Sequence, residues 1–344
     1  MKRHRHPLLS RRLALALALT LLPAAQAVDL APADLHSRLV PHVPDLAPPS
    51  PAFTNGTAYL RSLAPRILPA SVTPAPSGDA ITRSNLYPGQ IAYLRVAHVD
   101  DSLPLQLATA AASLARQESL QGLVLDLRSA SGTNFASALR SARAFGEVPL
   151  AGLTLGAQPL IDPSAAPSAS TPSPSLQGPL AILVNRQTRG AAELLAATLR
   201  TAASPSVVIG TNTAGQARAY RPLPLGDGLE LQLAADPIML PGGTPFPLSG
   251  LQPDLTVTVS EEDEALYLTD EYQRVVRGRR LAIDTSARLN EAELIRRRRG
   301  LRPNPEPAAE APSRSVQDPA LARALDLLET WAAERRPQPD GDSR

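Results

Sequence analysis

The chain has 344 residues, 43% of them hydrophobic, and is therefore long enough to bury one substantial core or two smaller ones. Its 34 basic and 32 acidic side chains nearly cancel, which argues against nucleic acid as a partner. The absence of cysteine excludes disulfide bonds, thiolate nucleophiles and cysteine-based metal sites. With 36 prolines and 3% aromatic residues, much of the chain outside the core is expected to be extended linker, and no motif predicts a cofactor or a metal.

Residues 1–27 have the pattern of a secretory signal peptide. Basic residues within 2–12 precede an apolar run at 13–19, and Ala25 and Ala27 stand at the spacing of a signal-peptidase site. The apolar run is too short to span a bilayer comfortably, which favours a removed signal over a retained anchor. We therefore expect cleavage after Ala27 and a periplasmic or secreted protein.

Residues 28–88 are predicted to be a proline-rich leader. Proline interrupts this stretch too often for a complete domain. Short helices are expected around Ala33–Leu39 and Ala58–Leu63, where they could pack against the body that follows.

A regular alternation of strands and helices begins at Gly89 and continues to about residue 259. A low-complexity loop of serine, proline and alanine at 161–177 interrupts it. Alternation of this kind predicts an α/β sheet core with helices on the sheet faces. The predicted strands are Ile91–Val96, Leu120–Arg128, Gly178–Asn185, Ser206–Ile209, Ala219–Leu223 and Leu229–Ala234. The predicted helices are Leu103–Gln117, Asn134–Phe145 and Gly190–Ala203.

Five motifs occur in a fixed order within residues 89–259. They are Asp126-Leu127-Arg128 followed by Gly132; Leu183-Val184-Asn185 leading to Ala191-Ala192-Glu193-Leu194; Gly210-x-x-Thr213-x-Gly215; Leu225-Gly226-Asp227-Gly228-Leu229-Glu230-Leu231; and Ser249-Gly250-Leu251-Gln252-Pro253-Asp254. In this order the segment resembles the catalytic domain of the tail-specific, C-terminal-processing serine peptidases of family S41. The resemblance implies a ClpP/crotonase-like spiral ββα core.

The same resemblance locates the reacting groups, and both are missing. Peptidases of this family use a serine at the start of a helix and a lysine after the next strand as its general base. Here the nucleophile position is Gly190, which has no side-chain atom to attack with, and the base position is Gln216, whose amide does not titrate near neutral pH. Lys2, inside the signal peptide, is the only lysine, so a mature Ser–Lys dyad is impossible.

The oxyanion side of the site is only partly kept. The turn that carries two adjacent glycines in the family retains Gly132 but has Thr133 next, whose side chain narrows the approach. Ala191 could still present its backbone N–H at the helix start. Two interpretations remain open: a groove that binds an extended peptide or protein C-terminus without cutting it, and a site that has decayed into simple packing.

A non-catalytic, exported homologue that binds peptides or acts as a partner subunit is therefore the leading hypothesis. Residues 28–88 are too short and too rich in proline for the PDZ-like domain common in the family. We therefore expect substrate capture by such a domain to be missing as well. The alternatives are a structural envelope component and a working hydrolase with His98 beside Asp100 or Asp101 as base, although a loop histidine near solvated carboxylates is the more ordinary interpretation. The candidate nucleophiles of such a hydrolase are Thr188, Ser129 and Ser131.

Residues 260–344 are predicted to be a helical, arginine-rich extension with a linker. An acidic run at 261–264 opens a helix expected to continue to Arg277. The arginines Arg296–Arg299 could bind a membrane surface or another acidic partner, although a solvated helix face is the commoner explanation. A last helix at 318–336 begins with Asp318 as its N-cap and carries an apolar stripe. That stripe is expected to pack on the core or to dock to another subunit, a second copy or an active relative.

Overall fold

The computed structural model describes residues 30–69, 78–117, 120–146, 152–160, 178–203, 205–226, 229–272, 275–276, 279–280 and 316–335. The predicted signal peptide, the loop at 161–177 and the arginines at 296–299 lie outside these residues. The chain divides into two compact units, one of Met1–Pro76 with Arg221–Leu233 and the other of Ser77–Tyr220 with Ala234–Arg344.

The first unit has a small hydrophobic core of its own. Its elements are α1 (Pro32–Leu39), α2 (Gly56–Leu63), β1 (Ile67–Pro69) and the parts of β9 (Arg218–Gly226) and β10 (Leu229–Leu240) that lie between 221 and 233. Strand β1 pairs antiparallel with β10. Leu35, Leu39, Tyr59 and Ile67 are buried, and the core is completed by Leu223, Leu231 and Leu233. The leader thus contributes to a folded unit, which its composition alone did not indicate.

The second unit contains a six-stranded sheet in the order β12-β8-β7-β4-β3-β2. All neighbouring pairs are parallel except β2 with β3, which is antiparallel. The strands are β2 (Ile81–Tyr87), β3 (Ile91–Val96), β4 (Gly122–Asp126), β7 (Leu180–Val184), β8 (Ser206–Gly210) and β12 (Leu255–Thr256). The predicted α/β class is confirmed. The predicted end of the leader at residue 88 is too late, because β2 already belongs to this sheet.

Helices cover both faces of this sheet. The helices α3 (Leu103–Gln117), α4 (Phe135–Ala142) and α5 (Ala191–Ala202) share a buried cluster with Leu125 and Ile182. The helix α7 (Pro319–Arg335) shares a second cluster with Val124 and Leu183, the alternate residues of the same strands. The last helix therefore packs on the core, which is one of the two arrangements expected for it.

The remaining elements are short. Helix α6 (Glu261–Thr269) is capped by Ser260, whose hydroxyl accepts the N–H of Asp263. The helix ends well before the predicted end at Arg277. The short strands are β5 (Thr154–Leu155), β6 (Gln158–Pro159), β11 (Thr244–Pro245), β13 (Val275–Val276) and β14 (Arg279–Arg280). Among the described residues, no helix combines the length and the hydropathy needed to cross a bilayer.

Candidate functional site

Gly190 lies at the sharp turn between β7 and α5, where it is the N-cap residue of the helix. Its backbone has φ 64° and ψ −125°, a conformation that residues with side chains rarely adopt. A Cβ atom added here would stand 2.2 Å from the carbonyl oxygen of Gly132. A strained turn of this kind can display a reactive side chain. Here the turn displays none, and the space for one is filled by backbone.

The backbone of Gly132 closes against the start of α5. Its carbonyl oxygen accepts the N–H of Ala191 at 2.8 Å, so the donor expected to serve an oxyanion is engaged within the chain. A Cβ atom on Gly132 would lie 2.6 Å from the carbonyl oxygen of Val99, which explains why this position is glycine. Thr133 is exposed to solvent. The loop containing Gly132 is thus held tightly on two sides.

The buried carboxylate of Glu193 joins Gly190 and Gln216, the positions of the missing nucleophile and base, which we call the degenerate positions. It accepts backbone N–H groups from Gly190 at 2.9 Å, from Gly215 at 2.7 Å and from Gln216 at 2.7 Å, and also the hydroxyl of Thr213. Burial raises the pKa of Glu193 even though these four hydrogen bonds act to lower it. One carboxylate therefore fixes the helix start and the Gln216 turn together. A glutamate three residues after a helix cap was the sequence signal for this role.

Gln216 is half-buried, and its backbone N–H is held in the turn by the carboxylate of Glu193. The guanidinium group of Arg218 braces the same turn by donating to the carbonyl oxygens of Gly215 at 3.3 Å and Phe246 at 3.2 Å. Within the described part of the chain, no group of three or more histidine, aspartate or glutamate residues could hold a metal ion.

A sequence model of peptidase family S41 matches residues 90–257, which contain every position described above. These residues belong to peptidase family S41. No curated protein sequence matches the chain.

Solved structures similar to the chain include several peptidases. The photosystem II D1 C-terminal processing protease is 24% identical, with 53% of this chain and 49% of that one covered and a TM-score of 0.40. A putative peptidase from Parabacteroides merdae is 21% identical, with coverage of 57% and 62% and a TM-score of 0.43. A putative S41 protease from Bacteroides fragilis is 20% identical, with coverage of 57% and 54% and a TM-score of 0.43. The chain thus spans about half to three fifths of these structures.

Two of the three hydroxyl groups considered as substitute nucleophiles, those of Thr188 and Ser129, have hydrogen-bond partners within the matched segment. Thr188 is buried; its hydroxyl donates to the carbonyl oxygen of Leu127 at 2.8 Å and accepts the N–H of Asn185 at 3.0 Å. Ser129 donates to Oε1 of Gln187 at 2.9 Å. Ser131 forms a parallel bridge with His98 through its backbone. Over the described ranges, no hydrogen bond joins any of these hydroxyl groups to a histidine or a carboxylate.

His98 is buried, with its Nε2 3.2 Å from Oδ2 of Asp100. Burial acts to raise the pKa of Asp100, but hydrogen bonds from Ser102 and the charge of His98 outweigh it, so this pKa is lowered. Asp101 instead accepts from three residues of or beside α4, which are Asn134, Ser137 and Arg140. His98 and Asp100 therefore lie side by side, as one of the alternatives required, and Asp100 accepts the hydroxyl of Ser102. Among the described residues, neither side chain hydrogen-bonds to the hydroxyl of a candidate nucleophile.

Asn185 holds together two loops, residues 129–133 and 185–190, which we call the site loops. Its Oδ1 accepts from the N–H groups of Ser129 at 2.9 Å and Thr188 at 3.0 Å. Its Nδ2 donates to Oε2 of Glu264 on α6 at 2.9 Å. The C-terminal extension thus orients the amide that links the site loops, a connection that the motif letters did not predict.

The motif Asp126-Leu127-Arg128 is also tied to the C-terminal extension. The guanidinium group of Arg128 is buried between Asp126, at 2.7 Å, and Asp318, at 2.8 Å. Tyr93 donates its hydroxyl to Asp126 at 2.8 Å. Burial acts to raise the pKa of Asp126, but Arg128 overcomes it and lowers that pKa. Because Asp318 also caps α7 by accepting the N–H of Ala320, this ion pair anchors the last helix.

Replacing Glu264 by glutamine should change how stability depends on pH. Burial raises the pKa of Glu264 above its ordinary 4.5, against the hydrogen bond from Asn185 and the charge of Arg128. The folded state then keeps a proton that the unfolded chain releases, so the free energy of unfolding falls as pH rises from about 4.5 through the folded-state pKa. Glutamine does not titrate and can still accept from Asn185.

Urea unfolding of the wild type and the Glu264→Gln variant at several pH values measures this effect. The wild type should lose stability relative to the variant as pH rises, whereas Glu262→Gln, at an exposed position of the same helix, should parallel the wild type. Parallel curves for all three proteins would show that Glu264 carries no such proton.

Proposed function

We propose that this protein is an exported, non-catalytic member of family S41 that binds extended protein segments, alone or as the subunit of a larger assembly. One observation carries the non-catalytic part. The carbonyl oxygen of Gly132 stands 2.2 Å from where a Cβ atom of residue 190 would be, and it accepts the N–H of Ala191. The turn therefore has no nucleophilic side chain and no space for one, and its oxyanion donor is already engaged.

The expected losses of kcat also support a non-catalytic protein. Removing a serine nucleophile lowers kcat by about 10⁶-fold in a well-studied serine peptidase. Removing one oxyanion donor costs about 10²-fold to 10³-fold. Gln216 cannot replace a general base, and the hydroxyl of Thr188 is buried and engaged on both sides. We therefore expect no peptidase activity above background.

The binding part of the proposal rests on surfaces that an extended peptide could use. Thr133 is exposed and Gln216 is half-exposed, so the region around the degenerate positions reaches solvent. In the described sheet, β2 is the terminal strand and pairs only with β3. The free edge of such a strand can add an extended peptide through backbone hydrogen bonds. Export is proposed from residues 1–27, and a contact with acidic membranes from Arg296–Arg299.

A serine-directed fluorophosphonate probe tests the absence of catalysis. The mature wild-type protein should remain unlabelled, and a casein or peptide substrate should remain intact, beside an active serine peptidase as positive control. Labelling of the wild type would overturn the proposal, and Thr188→Ala, Ser129→Ala and Ser131→Ala variants would then identify the nucleophile.

Peptide binding is the second arm of the test. Fluorescence polarisation with labelled extended peptides that end in a free carboxylate should show saturable binding to the mature protein. Thr133→Trp should weaken this binding about tenfold or more, which corresponds to about 1.4 kcal/mol, since a bulky side chain there covers the site loops. Thr109→Trp is the matched control, an exposed threonine on α3. Absence of binding in a folded protein would favour a structural envelope role instead.

A further inference from the structure

The peptide unit between Gly132 and Thr133 has one particular orientation. Its carbonyl group faces the start of α5, where it takes the N–H of Ala191 at 2.8 Å and fills the space beside Gly190. Its N–H group, which belongs to Thr133, makes no hydrogen bond among the described residues. Turning this peptide by about half a rotation would release Ala191 and place a second N–H toward the same space.

We infer that the contact between this carbonyl group and the start of α5 is autoinhibitory, and that Thr133 holds the carbonyl group in this orientation. The inference rests on the proposed function, because it treats the space between the site loops as the place where a ligand binds. It adds that the space is closed in the free protein by the protein's own backbone. Opening it requires rotation of the Gly132–Thr133 peptide unit.

Threonine opposes that rotation for a conformational reason. Rotating a peptide plane changes ψ of the preceding residue and φ of the following one in opposite senses. The same rotation converts a type I turn into a type II turn, whose third residue needs a positive φ that glycine adopts readily. Thr133 does not have a positive φ, since Gln90 and Ser129 are the only non-glycine residues in the described part of the chain that do. A β-branched residue with positive φ is a genuine outlier.

The threonine at residue 133 therefore restricts the backbone as well as narrowing the approach to the site. The side chain of Thr133 points into solvent, so it can be changed without opening a cavity in the core. A glycine at this position would make both peptide orientations accessible. Alanine would remove the branched side chain but keep the preference for negative φ.

Amide hydrogen exchange at Ala191, measured by NMR without any ligand, separates these effects. Thr133→Gly should speed exchange of this amide by about five- to thirty-fold, because the cost of a left-handed conformation for an L-residue disappears. Thr133→Ala should exchange within about threefold of the wild type, because alanine retains most of that cost. The amide of Ile182, in the buried strand β7, reports global opening and should not change.

The inference is overturned if Ala191 exchanges equally fast in the glycine and alanine variants, once each rate is divided by that of Ile182. That division also keeps the comparison valid if the glycine variant is less stable overall. Faster exchange in the glycine variant without peptide binding by any variant would uphold this inference and overturn the proposed function. If the wild type binds peptide but Ala191 exchanges equally fast in the glycine and alanine variants, the proposed function is upheld and this inference is overturned.

Discussion

Replacing Arg128 by methionine should lower the free energy of unfolding by about 3–5 kcal/mol or more, because it leaves buried carboxylates without their cation. Asp126 and Asp318 each lie within 2.8 Å of the Arg128 guanidinium, and the side chains of all three residues are at most 2% exposed. Methionine fills much of the same volume, so the loss reports charge rather than a cavity. Chemical denaturation at neutral pH measures it, provided that the slope against denaturant stays constant.

The pH dependence of this variant provides a second signature. In the wild type, Arg128 holds the pKa of Asp126 below its ordinary 3.8, so the stability from this pair is present above that pH and is lost as pH falls further. In the variant, burial without the cation raises the carboxylate pKa values. The variant should therefore regain stability as pH falls toward 4, a change in the opposite direction to that of the wild type.

Arg140 provides the matched control. It also pairs with an aspartate at 2.7 Å, but its side chain is 48% exposed and that of its partner Asp101 is 79% exposed. Arg140→Met should cost no more than about 1 kcal/mol, since surface ion pairs are weak. Equal losses for the two methionine variants would show that the Asp126–Arg128–Asp318 contact is not a buried ionic link.

Replacing Glu193 by alanine should cost about 3–5 kcal/mol, because several buried hydrogen-bond donors lose their acceptor at once. Three of these donors are backbone N–H groups, of Gly190, Gly215 and Gln216, which cannot move away without distorting the turns they belong to. Thr213 can rotate its hydroxyl group and recover in part. Relief of the buried charge offsets some of the loss, which is why the expected cost is smaller than the sum over the donors.

Glu193→Gln refines this result. It keeps one acceptor oxygen but turns an NH₂ group toward N–H donors, so its loss should fall between those of the wild type and the alanine variant. Glu262→Ala, at an exposed position of α6, should change stability by no more than about 0.5 kcal/mol. A loss below about 1 kcal/mol for Glu193→Ala would mean that water or a shifted side chain satisfies these donors.

The elements that could be predicted from sequence are those with a strong apolar pattern. Strands β4 and β7 are continuous apolar runs because parallel strands are covered on both faces. Strand β2 was missed because it is half exposed at the edge of the sheet and includes Arg83, Ser84 and Asn85. The end of α6 was placed too late, since the arginine residues after Asp270 resemble the basic end of a helix.

Some features of the candidate site could also be predicted from sequence, and others could not. Gly190 and Gln216 could be singled out because a missing side chain is visible in the letters of a motif. The contact between Gly132 and Ala191 could not, because it depends on the direction of a carbonyl group. The partners of Arg128 and Asn185 were also missed, since Asp318 and Glu264 lie beyond the matched segment and only folding brings them near.

The small core of the first unit has a consequence for the order of folding. Ile67 pairs with Leu233, and the leucines at 35 and 39 pack with those at 223 and 231, so residues from both ends of a very long stretch must meet. Closing such a loop carries an entropic cost that local contacts do not repay. During synthesis, the apolar side chains of Leu35 and Leu39 therefore stay uncovered until residues 221–233 have been made. Until they are covered, these side chains need protection from aggregation.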